Sequence, residues 1–271
     1  MITVSHLHHS YPLADGQTRQ AQTWQALIDI DFEVAEGEFV AIVGPSGCGK
    51  TTLLNVLAGL EAVQEGAVSV LDGHPRPGRR DVGYMLARDC LLPWRKALDN
   101  AALGLELQGV DAKTRRGRAA AALSSVGLAH AGGSYPAQLS HGMRQRVALA
   151  RVFAAAPSLI LLDEPFSALD AQNRVLIQDT FLTVWERQRT TVVLITHDLS
   201  EAVCLADRVI VMSASPGRIK GIHDVRLSRP RSASELQGTP EFHRIYEAVW
   251  SDLRAEVVRA ASTAESSIGG A

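Results

Sequence analysis

The nine residues GPSGCGKTT, Gly44 to Thr52, carry the clearest chemistry in the sequence. Gly44, Gly49, Lys50 and Thr51 satisfy the spacing G-x-x-x-x-G-K-[ST], with Pro45, Ser46, Gly47 and Cys48 between the glycines. A glycine-rich loop can curl so that successive N–H groups point at phosphate oxygens. A helix starting at its end adds a positive terminus. Lys50 then reaches the β- and γ-phosphates of a nucleoside triphosphate, and the Thr51 hydroxyl ligates Mg²⁺. A serine-hydrolase elbow is excluded, because Gly-x-Ser-x-Gly from Gly44 would need glycine where Cys48 stands.

A second acidic feature follows downstream. LILLDEP is an apolar strand ending in Asp163, whose carboxylate can hold Mg²⁺ through water. Glu164 comes next, placed to polarise an attacking water. TTVVLITHD is another apolar strand, ending at His197. A strand-end histidine alone is more often a surface residue. Beside a parallel strand bearing Glu164, it would face the same ligand crevice and contact the γ-phosphate and the water.

These groups need elements to hold them. EGEFVAIVG reads as a fully buried strand leading into the loop, and TTLLNVLAGL as the helix leaving it. ALIDIDFEV alternates, with Leu27, Asp29, Asp31 and Glu33 predicted on one face and Ile28, Ile30, Phe32 and Val34 on the other. Ala/Leu-rich helical periods fill about 88–155, an inserted helical subdomain. Strands alternating with helices elsewhere imply crossovers in a largely parallel sheet. The expected fold is α/β: a parallel-core sheet with a phosphate loop, an antiparallel β portion and the inserted helices. One domain is expected over 1–260, closed by an amphipathic helix from Thr239, with an unstructured tail at 261–271.

Composition limits the function classes. The 271 residues are 46% hydrophobic and only 5% aromatic, which suits an Ala/Leu/Val-rich α/β protein better than an all-β one. A net charge of -2 does not favour nucleic acid as a partner. Cys48, Cys90 and Cys204 show no CxxC spacing, so neither a disulfide framework nor a zinc site is expected. The N-terminus does not read as a signal peptide, and no apolar run is long enough to span a bilayer. His6, His8 and His9 alternate without a carboxylate in sequence and read poorly as a metal cluster. Cys48 raises the prospect of thiol sensitivity, against the plainer reading of a small residue that fits the loop.

GPSGCGKTT, LSHGM (Leu139–Met143), LILLDEP, SALD (ending in Asp170) and ITHD occur in that order, and together they resemble the ATP-binding-cassette (ABC) family. The resemblance spans roughly Thr3 to Val211. It implies ATP and Mg²⁺ as ligands, with Gly44 through Thr52 on the phosphates. It makes Lys50, Glu164 and His197 catalytic and Thr51 and Asp163 metal-holding, and it stacks Tyr11 on adenine. It implies that the helix start at Ser140 and Gly142 binds the γ-phosphate held by a second subunit, and that Asp170 communicates across a head-to-tail homodimer. LLPWR (Leu91–Arg95) and SPGRI (Ser215–Ile219) look like the branch serving nitrate, sulfonate and taurine uptake. That branch implies a separate integral-membrane permease, an indirect periplasmic solute-binding protein, and a peripheral place on the cytoplasmic face of the inner membrane. A soluble non-transport ATPase and a weakly hydrolysing clamp are the alternatives. Two positions depart from the family: His141 in the signature, and Ala87 where a metal- and water-contacting Gln is usual.

Overall fold

The structure, a computed structural model, describes residues 1–12 and 23–268. In chain order the first elements are β1 (Ile2–Pro12), β2 (Thr23–Val34), β3 (Phe39–Val43), α1 (Lys50–Ala58), β4 (Glu65–Val70) and β5 (Val82–Met85). Then come α2 (Ala97–Ala101), α3 (Leu103–Leu107), α4 (Ala112–Ser125), α5 (His141–Ala155), β6 (Leu159–Asp163), α6 (Ala171–Gln188) and β7 (Thr191–Ile195). The chain continues through α7 (Leu199–Leu205), β8 (Arg208–Met212), β9 (Ile219–Asp224), α8 (Ala233–Leu236) and α9 (Pro240–Ile268). Two compact units share these elements. One holds Met1–Pro77, Leu194–Ser228 and the chain from Gln237; the other holds Gly78–Val193 and Arg229–Leu236.

In the first unit β1 lies between β2 and β4, antiparallel to both. β3 pairs in parallel with β8 from Val40↔Arg208 to Val43↔Val211, and β9 runs antiparallel to β8. All five β3 residues are buried, as a continuous apolar run requires. The Thr196 N–H donates to the Ile42 carbonyl, so the chain end beyond β7 lies beside β3. The mixed parallel and antiparallel architecture is the one expected.

One face assignment is corrected. Leu27, expected with Asp29 and Asp31, is fully buried, and Ile28 is only half-buried. The cause is a bulge: the β1–β2 register slips between Val4 and His9, and His6 and Asp29 both adopt positive φ. An extra residue in a strand inverts every side chain beyond it. On the β4 side, Gly66 has φ 91, and a Cβ there would run into the His6 carbonyl.

In the second unit β5 pairs in parallel with β6, and α5 packs on β5. A Cβ on Gly83 of β5 would stand 3.0 Å from Val152 Cγ1 and 2.7 Å from Pro157 Cγ. The same compact unit therefore holds β5 together with the helix that packs on it. Residues 86–96 are turns, not helix. α9 also differs from expectation, running to Ile268 into the tail read as unstructured. No glycine or proline follows Pro240 until Gly269, so nothing stops propagation; 269–271 lie outside the described residues. Among the described residues no helix is long and apolar enough to cross a membrane.

The bulge makes a direct test. Gly66→Ala should destabilise the chain by about 2–4 kcal/mol, from positive φ and backbone overlap together. Urea denaturation reads it as a lower midpoint at unchanged slope; an unaltered midpoint would remove the bulge.

Candidate functional site

The phosphate loop belongs to the first unit. Gly44 ends the buried strand, and α1 begins at Lys50 with Gly49 as its N-cap at φ 94. No side chain caps this helix, and its first turn holds no acid, so its positive end is left for an external anion. A Cβ on Gly44 would stand 2.8 Å from Cys48 Sγ and 3.1 Å from Met212 Cβ. Gly47, at φ 76, has nothing within 4 Å of such a Cβ, so there the conformation, not space, demands glycine. Lys50 is 8% exposed, and its Nζ donates to the carbonyls of Gly44 and Pro45 at 2.8 and 2.9 Å. Ser46, Gly47 and Thr51 are exposed, whereas Pro45 and Thr52 are buried.

Of its two readings, Cys48 takes the plainer one. It is 1% exposed, and burial pushes its thiol pKa up despite the Lys50 ammonium nearby. A buried, protonated thiol is a small packing group, not a reactive one.

Tyr11 is half-buried at the end of β1, and its hydroxyl donates to Thr52 Oγ1 at 3.3 Å. It stacks against Trp24, its cross-strand partner, with centroids 6.0 Å apart and planes at 19°. Trp24 is 39% exposed and lies beside the phosphate-loop helix through Tyr11. Sequence reasoning passed over Trp24, because only the strand register puts it opposite Tyr11. His197 is exposed at the turn after β7, in the same unit as the loop.

The second unit carries the other candidates. Asp163 ends β6 at 3% exposure. Burial and then the Asp163 charge push the Tyr84 phenol pKa up. Glu164 is half-buried at φ 48, the left-handed region that costs a non-glycine residue energy. Its carbonyl accepts from Ser167 Oγ at 2.9 Å and Gln145 Nε2 at 3.5 Å. Asp170 caps α6, accepting the Asn173 N–H at 3.0 Å and Asn173 Nδ2 at 2.7 Å, and those bonds hold its carboxyl below the usual range.

Ser140 is exposed and caps α5, its Oγ accepting the Met143 N–H at 3.3 Å. Gly142 has a packing reason of its own, since a Cβ there would stand 3.1 Å from Leu169 Cδ2. The glycine therefore does not by itself argue for a ligand. Two arginines of α5 grip the turn after β5. Arg144 Nε donates to Asp89 Oδ2 at 2.9 Å, and Arg151 donates to the carbonyls of Asp89 and Cys90 at 3.0 and 2.9 Å. Ala87, exposed, lies just before that anchored segment. Asn100 is fully buried and holds LLPWR, accepting the Leu92 N–H and donating to the carbonyls of Leu92 and Arg95. Trp94 is left 71% exposed.

The histidines do not cluster together. His9 is buried against Tyr11, whereas exposed His6 lies 2.8 Å from Asp29 and 3.6 Å from Asp31, and the bond to Asp29 raises its pKa. The carboxylates missing from its sequence neighbourhood arrive across the bulge.

The ABC transporter family matches residues 27–167, more than half of the chain and the whole run from phosphate loop to DEP. The chain belongs to that family. An aliphatic sulfonates import ATP-binding protein of Ralstonia nicotianae is 47% identical over 83% of this chain and 75% of its own. A taurine import ATP-binding protein of Rhizobium johnstonii is 39% identical over 88% and 92%. An uncharacterized ABC transporter ATP-binding protein of Methanocaldococcus jannaschii is 44% identical over 87% and 86%. Among solved structures, a dimeric ATP-binding cassette in a post-hydrolysis state with ADP and Pi superposes with a TM-score of 0.75 at 30% identity. That match covers 84% of this chain and all of the other. The ABC reading of the motif order is therefore borne out.

The thiols give the sharpest check on the loop as built. In the native chain one cysteine, Cys90, should react promptly with a thiol reagent, while Cys48 and Cys204 wait for unfolding. Mass-mapped labelling counts them; early labelling of Cys48 would contradict the buried position.

Proposed function

We propose that the chain is the ATP-hydrolysing subunit of an importer, working as a head-to-tail homodimer against a separate integral-membrane permease. Its place is peripheral, on the cytoplasmic face of the membrane, and its solute resembles a sulfonate, taurine or nitrate delivered by a periplasmic binding protein. The observation that carries this reading is the uncapped α1 terminus, with Lys50 held inside the glycine loop. The importers' names among the relatives support the solute class, and the solved dimers support the pairing.

Each residue then has a physical task. Loop N–H groups and Lys50 hold the β- and γ-phosphates, and Tyr11 with Trp24 offers an aromatic face to adenine. The Thr51 hydroxyl and the Asp163 carboxylate form a hard oxygen donor set of the kind Mg²⁺ takes, and would hold it. The bound ion would neutralise phosphate charge. Glu164 accepts a proton from the attacking water, and His197 orients the γ-phosphate and that water. Ser140 and the α5 terminus complete the site of the other subunit. Permease contact falls on the Ala87–Arg95 segment, where Trp94 stands out and Asp89 ties the segment to the signature helix.

Glu164→Gln should keep ATP binding and lose steady-state hydrolysis by about a hundredfold or more, because the amide cannot take the proton. It should also accumulate an ATP-bound dimer on size exclusion. Turnover like that of the wild type would remove Glu164 from this role.

A methyl group at Ala87 neither ligates a metal nor hydrogen-bonds water, and the neighbouring Arg88 has no acceptor to offer. Basal hydrolysis should therefore be slow until the permease reorders the segment. Ala87→Gln should raise basal turnover or lower the Mg²⁺ needed for half-maximal activity. Superimposable Mg²⁺ titrations of the two proteins, with and without permease, would show that this position carries no catalytic role.

A further inference from the structure

Glu256 of α9 is 1% exposed, on a helix face whose other buried members are Phe242, Val249 and Leu253. A carboxylate in an apolar row is costly unless it is paired and hydrogen-bonded. Lys220 Nζ and Arg259 Nη1 approach it at 3.7 Å each, from exposed positions. Its close bond goes elsewhere: Oε2 accepts the Ala214 backbone N–H at 3.0 Å.

Ala214 lies in a tight turn following β8. The Ser213 N–H donates to the Arg218 carbonyl at 2.9 Å, and the Arg218 N–H donates to Ser213 Oγ at 3.0 Å. At the turn's far end Gly217 bonds β2 twice, donating to the Ala26 carbonyl at 3.0 Å and accepting the Ile28 N–H at 2.9 Å. Gly217 also touches the phosphate loop, since a Cβ there would run into the Cys48 carbonyl. The loop's own glycines meet the same two backbones. A Cβ on Gly44 would stand 3.1 Å from the Met212 carbonyl, and one on Gly49 2.7 Å from that of Ala26. The phosphate loop therefore rests on Ala26–Ile28 and on Met212–Gly217, and the second support is held from outside by Glu256.

We propose that Glu256 is a positioning residue for the nucleotide site: by holding the Ala214 N–H it fixes the Ser213–Gly217 turn, and that turn fixes the phosphate loop at Cys48. α9 is thereby a lever on phosphate affinity, and anything that shifts it changes the loop. The proposal rests on the reading of Gly44–Thr52 as the nucleotide site.

Two conservative variants separate reach from charge. Glu256→Gln keeps the side-chain length and an acceptor oxygen but loses the charge. Glu256→Asp keeps the charge but withdraws it by one methylene from the Ala214 N–H. Asp252→Asn serves as the control, because it weakens another α9 contact, the 2.8 Å pair with His223 of β9, without touching the turn. MgATP affinity is measured on the full chain by calorimetry, with amide exchange at residues 44–50 read in parallel by mass spectrometry. E256D should weaken MgATP binding about five- to tenfold, the loss of one buried hydrogen bond, and speed exchange in the loop. E256Q and D252N should stay within about twofold of wild type in both readouts. The proposal falls if E256D matches wild type, if E256Q weakens binding as much as E256D, or if D252N does the same. A wild-type chain that binds no MgATP would instead defeat the nucleotide reading, while the exchange data would still decide whether Glu256 sets the loop.

Discussion

A phosphate loop works only if its backbone N–H groups remain curled together and unspent on secondary structure, and that constraint organises the first unit. The loop has few bonds of its own: the Cys48 N–H donates to the Pro45 carbonyl at 3.4 Å, and glycine is the least restrained residue in the chain. Rigidity has to come from neighbours at van der Waals distance. The buried strand β3 delivers one end, α1 takes the other, and the backbones around Ala26 and Met212 press from the side where Gly44 and Gly49 have no room for a Cβ. Lys50 closes the curve from within through two carbonyls. The same glycines that let the chain turn also let the supporting strands come close enough to keep it turned.

The second unit solves a different problem. Its candidate groups stand at element ends: Asp163 and Glu164 leaving β6, Ser140 entering α5, Asp170 entering α6. Element ends lack the full ladder of backbone bonds, so they need cross-ties. α5 supplies them over its length: Ser140 at its start, Gln145 to the Glu164 carbonyl, Arg144 and Arg151 to Asp89 and Cys90. The helix that begins with the signature thus touches both the Glu164 turn and the segment after Ala87. Arg144 and Gln145, which follow the signature directly, serve as those ties.

Much of this was legible in the sequence. Continuous apolar runs marked β3, β6 and β7, because strands buried on both faces have no alternation to hide, and the G-x-x-x-x-G-K-T spacing named its own helix. What escaped was whatever depends on contact between distant segments. The β2 face inverted at a bulge that no residue type announces, since Asp29 takes positive φ without being glycine. Trp24 gained meaning only through its register with Tyr11. Gly142 looked like a ligand signal until Leu169 gave it a packing reason as well, a close approach that a side chain would crowd. Cys48 kept two readings because a sequence position carries no burial.

LLPWR and SPGRI belong to opposite units, yet the chain treats them alike. Each is an irregular segment whose backbone polar groups would cost about 1–3 kcal/mol apiece if buried without partners. Each is met by a nearly inaccessible polar side chain from a helix: Asn100 of α2 bonds two carbonyls and an N–H of the first, and Glu256 of α9 takes the N–H of Ala214, the residue that leads into the second. A buried amide or carboxylate has little other use in an apolar helix face. Its presence therefore marks the neighbouring loop as one whose exact course matters. For LLPWR that course presents Trp94 to solvent, and for SPGRI it brings Gly217 against the phosphate loop. The two motifs thus read as one device used twice: an irregular segment held from beneath, once where Trp94 stands exposed and once against the phosphate loop.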